Sequence, residues 1–288
     1  MDLSVVIPTH NGSRWLAPTL AHVAAQRPPA ELEWEVILVD NASTDHTAAS
    51  ARAAWPRDAP VALRVVDEPR LGLGHAHLRG FAEARGEIVT WVEDDNRVAP
   101  DRVEIAWRVM AEHPEAGACA GFNAPAPELT PPEWFHRFAH AYATGPQGEA
   151  GDVTESRGHL WGAGLTIRRA AWDHLSRHGF AALLPDRRGA TSFNSGGDTE
   201  ICLALRMAGW RLRYEPRLRL EHLIVAHRLD WGYLRGLSRG VGASSVGFDP
   251  YRRALRASGA QATRGAWLAE ARRAAGGLAR GGLRPWRE

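Results

Sequence analysis

Two periodicities alternate along the first hundred residues. Leu3-Ser4-Val5-Val6-Ile7 is a short β-branched run stopped by Pro8, and after the turn Thr9-His10-Asn11-Gly12 the stretch Trp15 to Ala25 has helical spacing. A second apolar run, Trp34 to Val39, ends at Asp40-Asn41-Ala42-Ser43-Thr44-Asp45, and Thr47 to Trp55 predicts the next helix. The third strand is expected over Val61 to Val66. Gly72-Leu73-Gly74 then opens a helical stretch from His75 to Ala84, and the fourth strand, Ile88 to Val92, runs into Glu93-Asp94-Asp95-Asn96. Strands alternating with helices predict an α/β fold around a mostly parallel sheet, in which ligands bind beyond the carboxyl ends of the strands. Pro8-Thr9, Asp40 and Asp94-Asp95 all fall at such ends.

Beyond residue 120 the pattern loosens. Phe122 to Asp152 and Leu184 to Gly197 are rich in proline, glycine and polar residues, and both are expected to be mobile loops able to cover a ligand. Between them, Trp161-Gly162-Ala163-Gly164-Leu165-Thr166-Ile167-Arg168-Arg169 predicts a glycine-bearing strand before a helix, the glycines serving either substrate approach or close packing. Ser195-Gly196-Gly197-Asp198-Thr199-Glu200 precedes an apolar helical stretch from Ile201 to Met207. Leu218 to Leu220 is strand-like and is followed by Glu221-His222 and Arg228. Trp134, Trp161 and Phe193 are candidates for stacking on a sugar, with packing as the alternative.

Composition narrows the classes. The chain has 288 residues, 44% hydrophobic and 24% charged, as in a globular protein. No apolar run approaches the roughly 20 residues of a membrane span, and Met1-Asp2-Leu3 leads directly into a strand without a leader pattern, so a cytoplasmic protein is expected. The two cysteines, Cys119 and Cys202, stand far apart in apolar company and read as buried thiols. All 35 basic residues are arginine, the net charge is only +2, and no concentrated basic face with interleaved aromatics marks the first 230 residues, which argues against nucleic acid as a partner. From Arg252 to Glu288, nine arginines stand against two acids, with Trp267, Leu268, Leu278, Leu283 and Trp286 interspersed. That tail suits either solvent or peripheral contact with the anionic inner face of a membrane, although Gly276-Gly277 and Gly281-Gly282 interrupt any helix.

The acidic cluster carries the clearest chemistry. Carboxylates crowded at a strand end repel one another, and a divalent cation such as Mg²⁺ or Mn²⁺ relieves this while keeping positions for substrate phosphates; a solvated acidic turn is the alternative. Asp40 can accept hydrogen bonds from a nucleobase or ribose, or form an Asx turn. Asp45 and Thr44 suit helix capping at least as well as ligand contact. Gly72-Leu73-Gly74 fails as a dinucleotide fingerprint, because His77 stands where the third glycine is required.

Taken in order, Val5-Val6-Ile7-Pro8-Thr9-His10-Asn11, Val39-Asp40-Asn41-Ala42-Ser43-Thr44-Asp45, Gly72-Leu73-Gly74 and Glu93-Asp94-Asp95-Asn96 resemble the family 2 glycosyltransferases with the GT-A fold, over roughly residues 3 to 230. The resemblance implies a GT-A domain over 1–230, with a nucleotide-binding half (1–96) and an acceptor half (97–230), and a helical, arginine-rich extension over 231–288. It implies an inverting, metal-dependent transferase moving a sugar from a nucleoside-diphosphate sugar to a hydroxyl of a glycan, a lipid-linked saccharide or a small molecule. On this analogy Pro8, Thr9, Asn11, Asp40 and Gly72 hold the nucleotide, Glu93 and Asp94 contact ribose or metal-bound water, and Arg228 lies near the diphosphate. Asp95 and His222 are the implied ligands of Mn²⁺ or Mg²⁺.

The catalytic base implied by the resemblance is Asp198, with Glu200 in reserve; an acid in the first helical turn can equally serve as a cap. Three departures stand out. Glu93 replaces a frequent aspartate, Gly197 replaces a usual glutamate, and Ala76-His77-Leu78 replaces an Ala-Arg-Asn run, leaving Arg79 or Arg70 to supply a cation. These departures keep a non-catalytic sugar-nucleotide-binding partner in view. A nucleotidyltransferase is the other alternative, disfavoured because His10-Asn11-Gly12-Ser13-Arg14 makes a poor phosphate loop.

Overall fold

The computed structural model describes residues 1–182 and 196–258. The strands are β1 (Leu3–Thr9), β2 (Trp34–Asn41), β3 (Leu63–Glu68), β4 (Ile88–Trp91), β5 (Asn96–Val98), β6 (Ala116–Ala120), β7 (Asn123–Pro127), β8 (Gly151–Asp152), β9 (Thr166–Arg168), β10 (Arg211–Tyr214) and β11 (Leu220–Ile224). The α-helices are α1 (Leu16–Ala24), α2 (Thr47–Ala54), α3 (Leu73–Glu83), α4 (Arg102–Glu112), α5 (Phe135–Phe138), α6 (Arg169–Arg177), α7 (Gly197–Met207), α8 (Trp231–Gly247) and α9 (Asp249–Ser258).

Eight strands form one sheet in the order β3-β2-β1-β4-β9-β6-β10-β8, and β5-β11-β7 form a smaller one. The core strands are apolar at successive positions because both faces of the large sheet are covered. Leu3, Val5 and Ile7 pack with α1, α2 and α4, whereas Val6 faces a second cluster shared by α3, α6, α7 and α9. Val36 and Leu38 against Ile37 and Val39 repeat the alternation on β2, so a one-residue slip would exchange the two faces.

Several expectations shift. β1 continues through Pro8 to Thr9, in register with β2 through Thr9 and Asp40. Its pairing with β4 ends at Val6 and Trp91, so Pro8 lies where one side of β1 is already an edge. The glycine-bearing segment is a turn as far as Leu165, and only Thr166–Arg168 form a strand, antiparallel between β4 and β6. The strand expected over Leu218 to Leu220 lies further on, and Glu221 and His222 belong to it. The Phe122 to Asp152 connection, expected as a loop, contains β7, α5 and β8, with Phe135 and Tyr142 buried against Ile224, Leu234 and Leu237. Most of the second expected loop, including Phe193 and Ser195, lies outside the described residues. Cys119 and Cys202 are buried free thiols, each raised to a pKa of about 12 by desolvation.

Candidate active site

The first loop is built around a close contact between two strand ends. Thr9, at the end of β1, donates its hydroxyl to Asp94 Oδ2 at 2.6 Å. Gly12 makes this approach possible: a Cβ there would collide with Thr9 Oγ1 and lie 2.8 Å from Asp94 Oδ2. Asn11 adopts a left-handed φ of 52° and joins this loop to the next. Its Oδ1 accepts from the backbone N–H of Thr44 at 2.8 Å, and its own N–H donates to Ser43 Oγ at 2.9 Å. Asp45 forms an Asx turn just ahead of α2, accepting from the Thr47 N–H at 2.9 Å. Asn41 holds the third loop, its Nδ2 donating to Glu68 O and Arg70 O while its Oδ1 accepts from Gly72 N–H at 2.8 Å.

The acids after β4 have separate surroundings. Asp94 is pushed up to a pKa of about 7 by burial first and then by the neighbouring charge of Asp95, against the lowering effect of the Thr9 hydrogen bond. Glu93 Oε1 lies 3.2 Å from His77 Nε2, and the His77 ring stacks on Trp91 at 3.7 Å between centroids. Asp95 Oδ2 accepts from Arg228 Nη1 at 3.1 Å and lies 3.4 Å from His222 Nε2, while its Oδ1 accepts from Asn96 Nδ2 at 2.9 Å. Burial works against the Arg228 charge, but Asp95 holds its pKa above the ordinary value. The β5-β11 pairing produces this convergence, because His222 is in register with Asn96 and the Leu223 N–H donates to Asp95 O at 2.9 Å.

Among the described residues, no group of three or more histidine, cysteine or acidic side chains is arranged as a ready-made metal site. Asp95 and His222 still offer one oxygen and one nitrogen donor side by side. Such a donor set suits a Mg²⁺ or Mn²⁺ ion completing its shell with water and phosphate oxygens.

Across the cleft, Asp198 lies in the first turn of α7. Its Oδ2 accepts from the Gly162 N–H at 2.7 Å and its Oδ1 from the Thr199 N–H at 2.7 Å. The glycine suits this close approach, since a Cβ on Gly162 would sit a tight 3.3 Å from the Asp198 Cβ. The structure corrects the expectation for Glu200. That residue is 1% exposed, faces the core and accepts the Tyr251 hydroxyl at 2.6 Å, so it does not reach the cleft.

A cleft of ≈ 540 Å³ unites Pro8, Thr9, Asn11, Gly72, Glu93, Asp94, Asp95, Asp198, His222 and Arg228. Asp40 is not part of its lining. It is half-buried at the end of β2, with Oδ1 lacking a hydrogen-bond partner, and Asn41 lines the cleft instead. Neither suggested substitute cation lies there: Arg70 chelates Glu68 at 2.9 and 3.0 Å, and Arg79 pairs with Glu83 at 3.0 Å. Trp134 packs edge-on against Trp231, and Trp161 lies under the Arg157 guanidinium, both away from the cleft lining. Trp15, His77 and Tyr233 line it without having been expected. Leu73, Ala76 and His77 share one face of a helix by their spacing, which could have marked His77; Tyr233 carries no comparable signal.

The fold is shared with solved glycosyltransferases. A mannosyltransferase from Pyrobaculum calidifontis, solved with GDP-Man and Mn²⁺, superposes with a TM-score of 0.57 at 22% identity, covering 99% of this chain and 76% of that one. TarS from S. aureus with UDP-GlcNAc gives 0.56 at 19% identity, covering 78% of this chain and 58% of that one. These are GT-A enzymes, in agreement with the fold expected from the motifs. Among curated proteins, dodecaprenyl-phosphate galacturonate synthase of Rhizobium johnstonii is 35% identical over 96 residues, 33% of this chain and 28% of that protein. The teichuronic acid biosynthesis glycosyltransferase TuaG of Bacillus subtilis, itself a putative assignment, is 27% identical over 139 residues, 48% of this chain and 52% of that protein. The match to the first of these relatives spans under a third of its length. Residues 4–175, more than half of the chain, match the family described as Glycosyl transferase family 2, and the chain belongs to that family.

Proposed function

We propose that the cleft binds a nucleoside-diphosphate sugar and transfers its glycosyl group to an acceptor hydroxyl with inversion at the anomeric carbon. The observation that carries this reading is the meeting, in one cleft, of the Asp95-His222-Arg228 cluster with the carboxylate of Asp198. Thr9, Asn11 and Gly72 line the part of the cleft formed by the β1, β2 and β3 ends, where a nucleoside would lie. Arg228 supplies positive charge for the leaving diphosphate. Asp95 and His222 would hold a divalent ion, which when bound supplies further charge neutralisation at that diphosphate.

Asp198 takes the acceptor proton. Its carboxylate is fixed by two backbone N–H groups, and a base so held can pre-align the acceptor oxygen for attack. The relatives favour a saccharide or lipid-linked acceptor, since one is named for teichuronic acid biosynthesis and another as a dodecaprenyl-phosphate galacturonate synthase. The transferase unit expected over 1–230 is proposed to extend through α8 and α9, whose Leu234, Leu237, Tyr251 and Ala254 are buried in its clusters, while 259–288 and the membrane contact suggested for that tail lie outside the described residues. No helix among the described residues is long and apolar enough to cross a membrane.

The test is a calorimetric screen of UDP, GDP and dTDP sugars with and without Mn²⁺, followed by transfer assays. Asp95→Asn is expected to weaken metal-dependent donor binding by about tenfold or more, and Asp198→Asn to retain donor binding while kcat falls by about two to four orders of magnitude. Full transfer by Asp198→Asn would remove the base assignment; metal-independent binding by the wild type would remove the metal.

A further inference from the structure

The first turn of α7 is held from both sides. On the cleft side Asp198 accepts the Gly162 N–H at 2.7 Å. On the core side, two residues on, Glu200 accepts the Tyr251 hydroxyl of α9 at 2.6 Å. Glu200 and Tyr251 are 1% and 3% exposed, and burial together with the Glu200 charge raises the Tyr251 pKa above its ordinary value, keeping the phenol a donor. A carboxylate in such a position is costly unless hydrogen-bonded, so the tyrosine hydroxyl is one of the groups that hold Glu200 in place. The Glu200 N–H in turn bonds to Gly196 O at 2.8 Å, which closes the turn around Asp198. Phe248, Tyr251 and Ala254 of α9 and its lead-in are buried in the same cluster as Ile201, Leu205 and Ala208 of α7 and its end, so the donor hydroxyl is itself held by packing.

We propose that Tyr251 is a positioning residue for glycosyl transfer, acting through Glu200 to fix the orientation of the turn that presents Asp198. The helix α9 is then part of the framework of the active site, although no atom of it lines the cleft. This rests on the reading of Asp198 as the base.

Tyr251→Phe removes one hydroxyl and keeps the ring. The expected result is a fall in kcat of about tenfold, with donor KM and nucleoside-diphosphate affinity within about twofold of wild type. Hydrogen exchange in peptides spanning Gly162 is expected to accelerate by about tenfold, because the Gly162 N–H loses its fixed acceptor. Wild-type kcat and wild-type exchange in Tyr251→Phe would overturn the proposal, as would parallel loss of donor affinity, kcat and thermal stability. The exchange measurement needs no turnover, so it separates the two readings: if Asp198→Asn transfers normally the base assignment fails, while unchanged Gly162 exchange in Tyr251→Phe rejects the link from Tyr251 to this turn.

Discussion

His77 and Glu93 show how a site can depart from an expected pattern at two positions that answer each other. The two side chains are 3.2 Å apart, and the His77 ring lies on Trp91 with an interplanar angle of 6°. The imidazole therefore does two jobs, filling space over Trp91 and holding the Glu93 carboxylate on the cleft wall. These separate by substitution. His77→Phe retains a ring on Trp91 but has no nitrogen for Glu93, so donor affinity is expected to fall several-fold while Tm moves by no more than about 3 °C. His77→Ala also opens a cavity and is expected to cost about 2–4 kcal/mol of stability as well. Isothermal titration and thermal unfolding of the two variants check this; equal donor affinity in wild type and His77→Phe would show that the hydrogen bond does not orient Glu93 for the ligand. The acids themselves were legible from three consecutive carboxylates after an apolar strand. Their separate roles were not, because the groups facing Glu93, Asp94 and Asp95 come from α3, the β1 end and the β11 region respectively.

Strand-turn-helix units were legible because the core strands of the large sheet are apolar on both faces, and an uninterrupted β-branched run bounded by polar residues has few other readings. The short strands were less so. Asn123–Pro127 lies at the edge of the small sheet, paired with β11 and, at Asn123, bridged to Gly145, an edge position that tolerates its prolines, and nothing local distinguishes it from a loop. The link from β3 to α3 is the element whose shape matters most for the cleft, since it places Gly72, with a φ of 143°, at the start of α3. Glu68, 3% exposed, anchors it through a bidentate pair with Arg70. The Arg70 hydrogen bonds lower the Glu68 pKa from 4.5 to about 2. A carboxyl group whose folded pKa is depressed adds stability above its unfolded pKa and loses it as pH falls through the folded value. Arg70→Gln is therefore expected to lower Tm at pH 7, and the gap from wild type is expected to shrink between pH 4.5 and about 2. Thermal scans at pH 7 and pH 3 decide it; a gap that stayed constant over this interval would place the effect of Arg70 elsewhere than in its pair with Glu68.

At the scale of the whole molecule, composition and packing divide the chain differently. Glycines and arginines after residue 230 suggested an extension, yet α8 and α9 bury Leu234, Leu237, Tyr251 and Ala254, with Phe248 between them. Leu234 and Leu237 cover Phe135 and Tyr142 beside the small sheet, whereas Phe248, Tyr251 and Ala254 enter the same cluster as the β4, β6 and β9 side chains. The pattern was hard to read because the buried positions are widely spaced among charged and small residues. Their number is small, but each large one counts: full burial of a Phe or Tyr side chain is worth about 1.5–3 kcal/mol, so loss of α9 and Phe248 would remove roughly 5 kcal/mol from a domain stability of about 5–15 kcal/mol. A chain ended after Gly247 is accordingly expected to unfold at least about 10 °C below the longer one. It is also expected to lose kcat even where it remains folded, since α7, which carries Asp198, loses the helix packed behind it. Calorimetry of both chains, each read for the number of transitions, is the measurement. One cooperative transition that shifts down on truncation would place α9 inside the folding unit that carries Asp198; an unshifted transition would mean that residues 1–247 fold as an independent domain, with α9 merely resting on its surface.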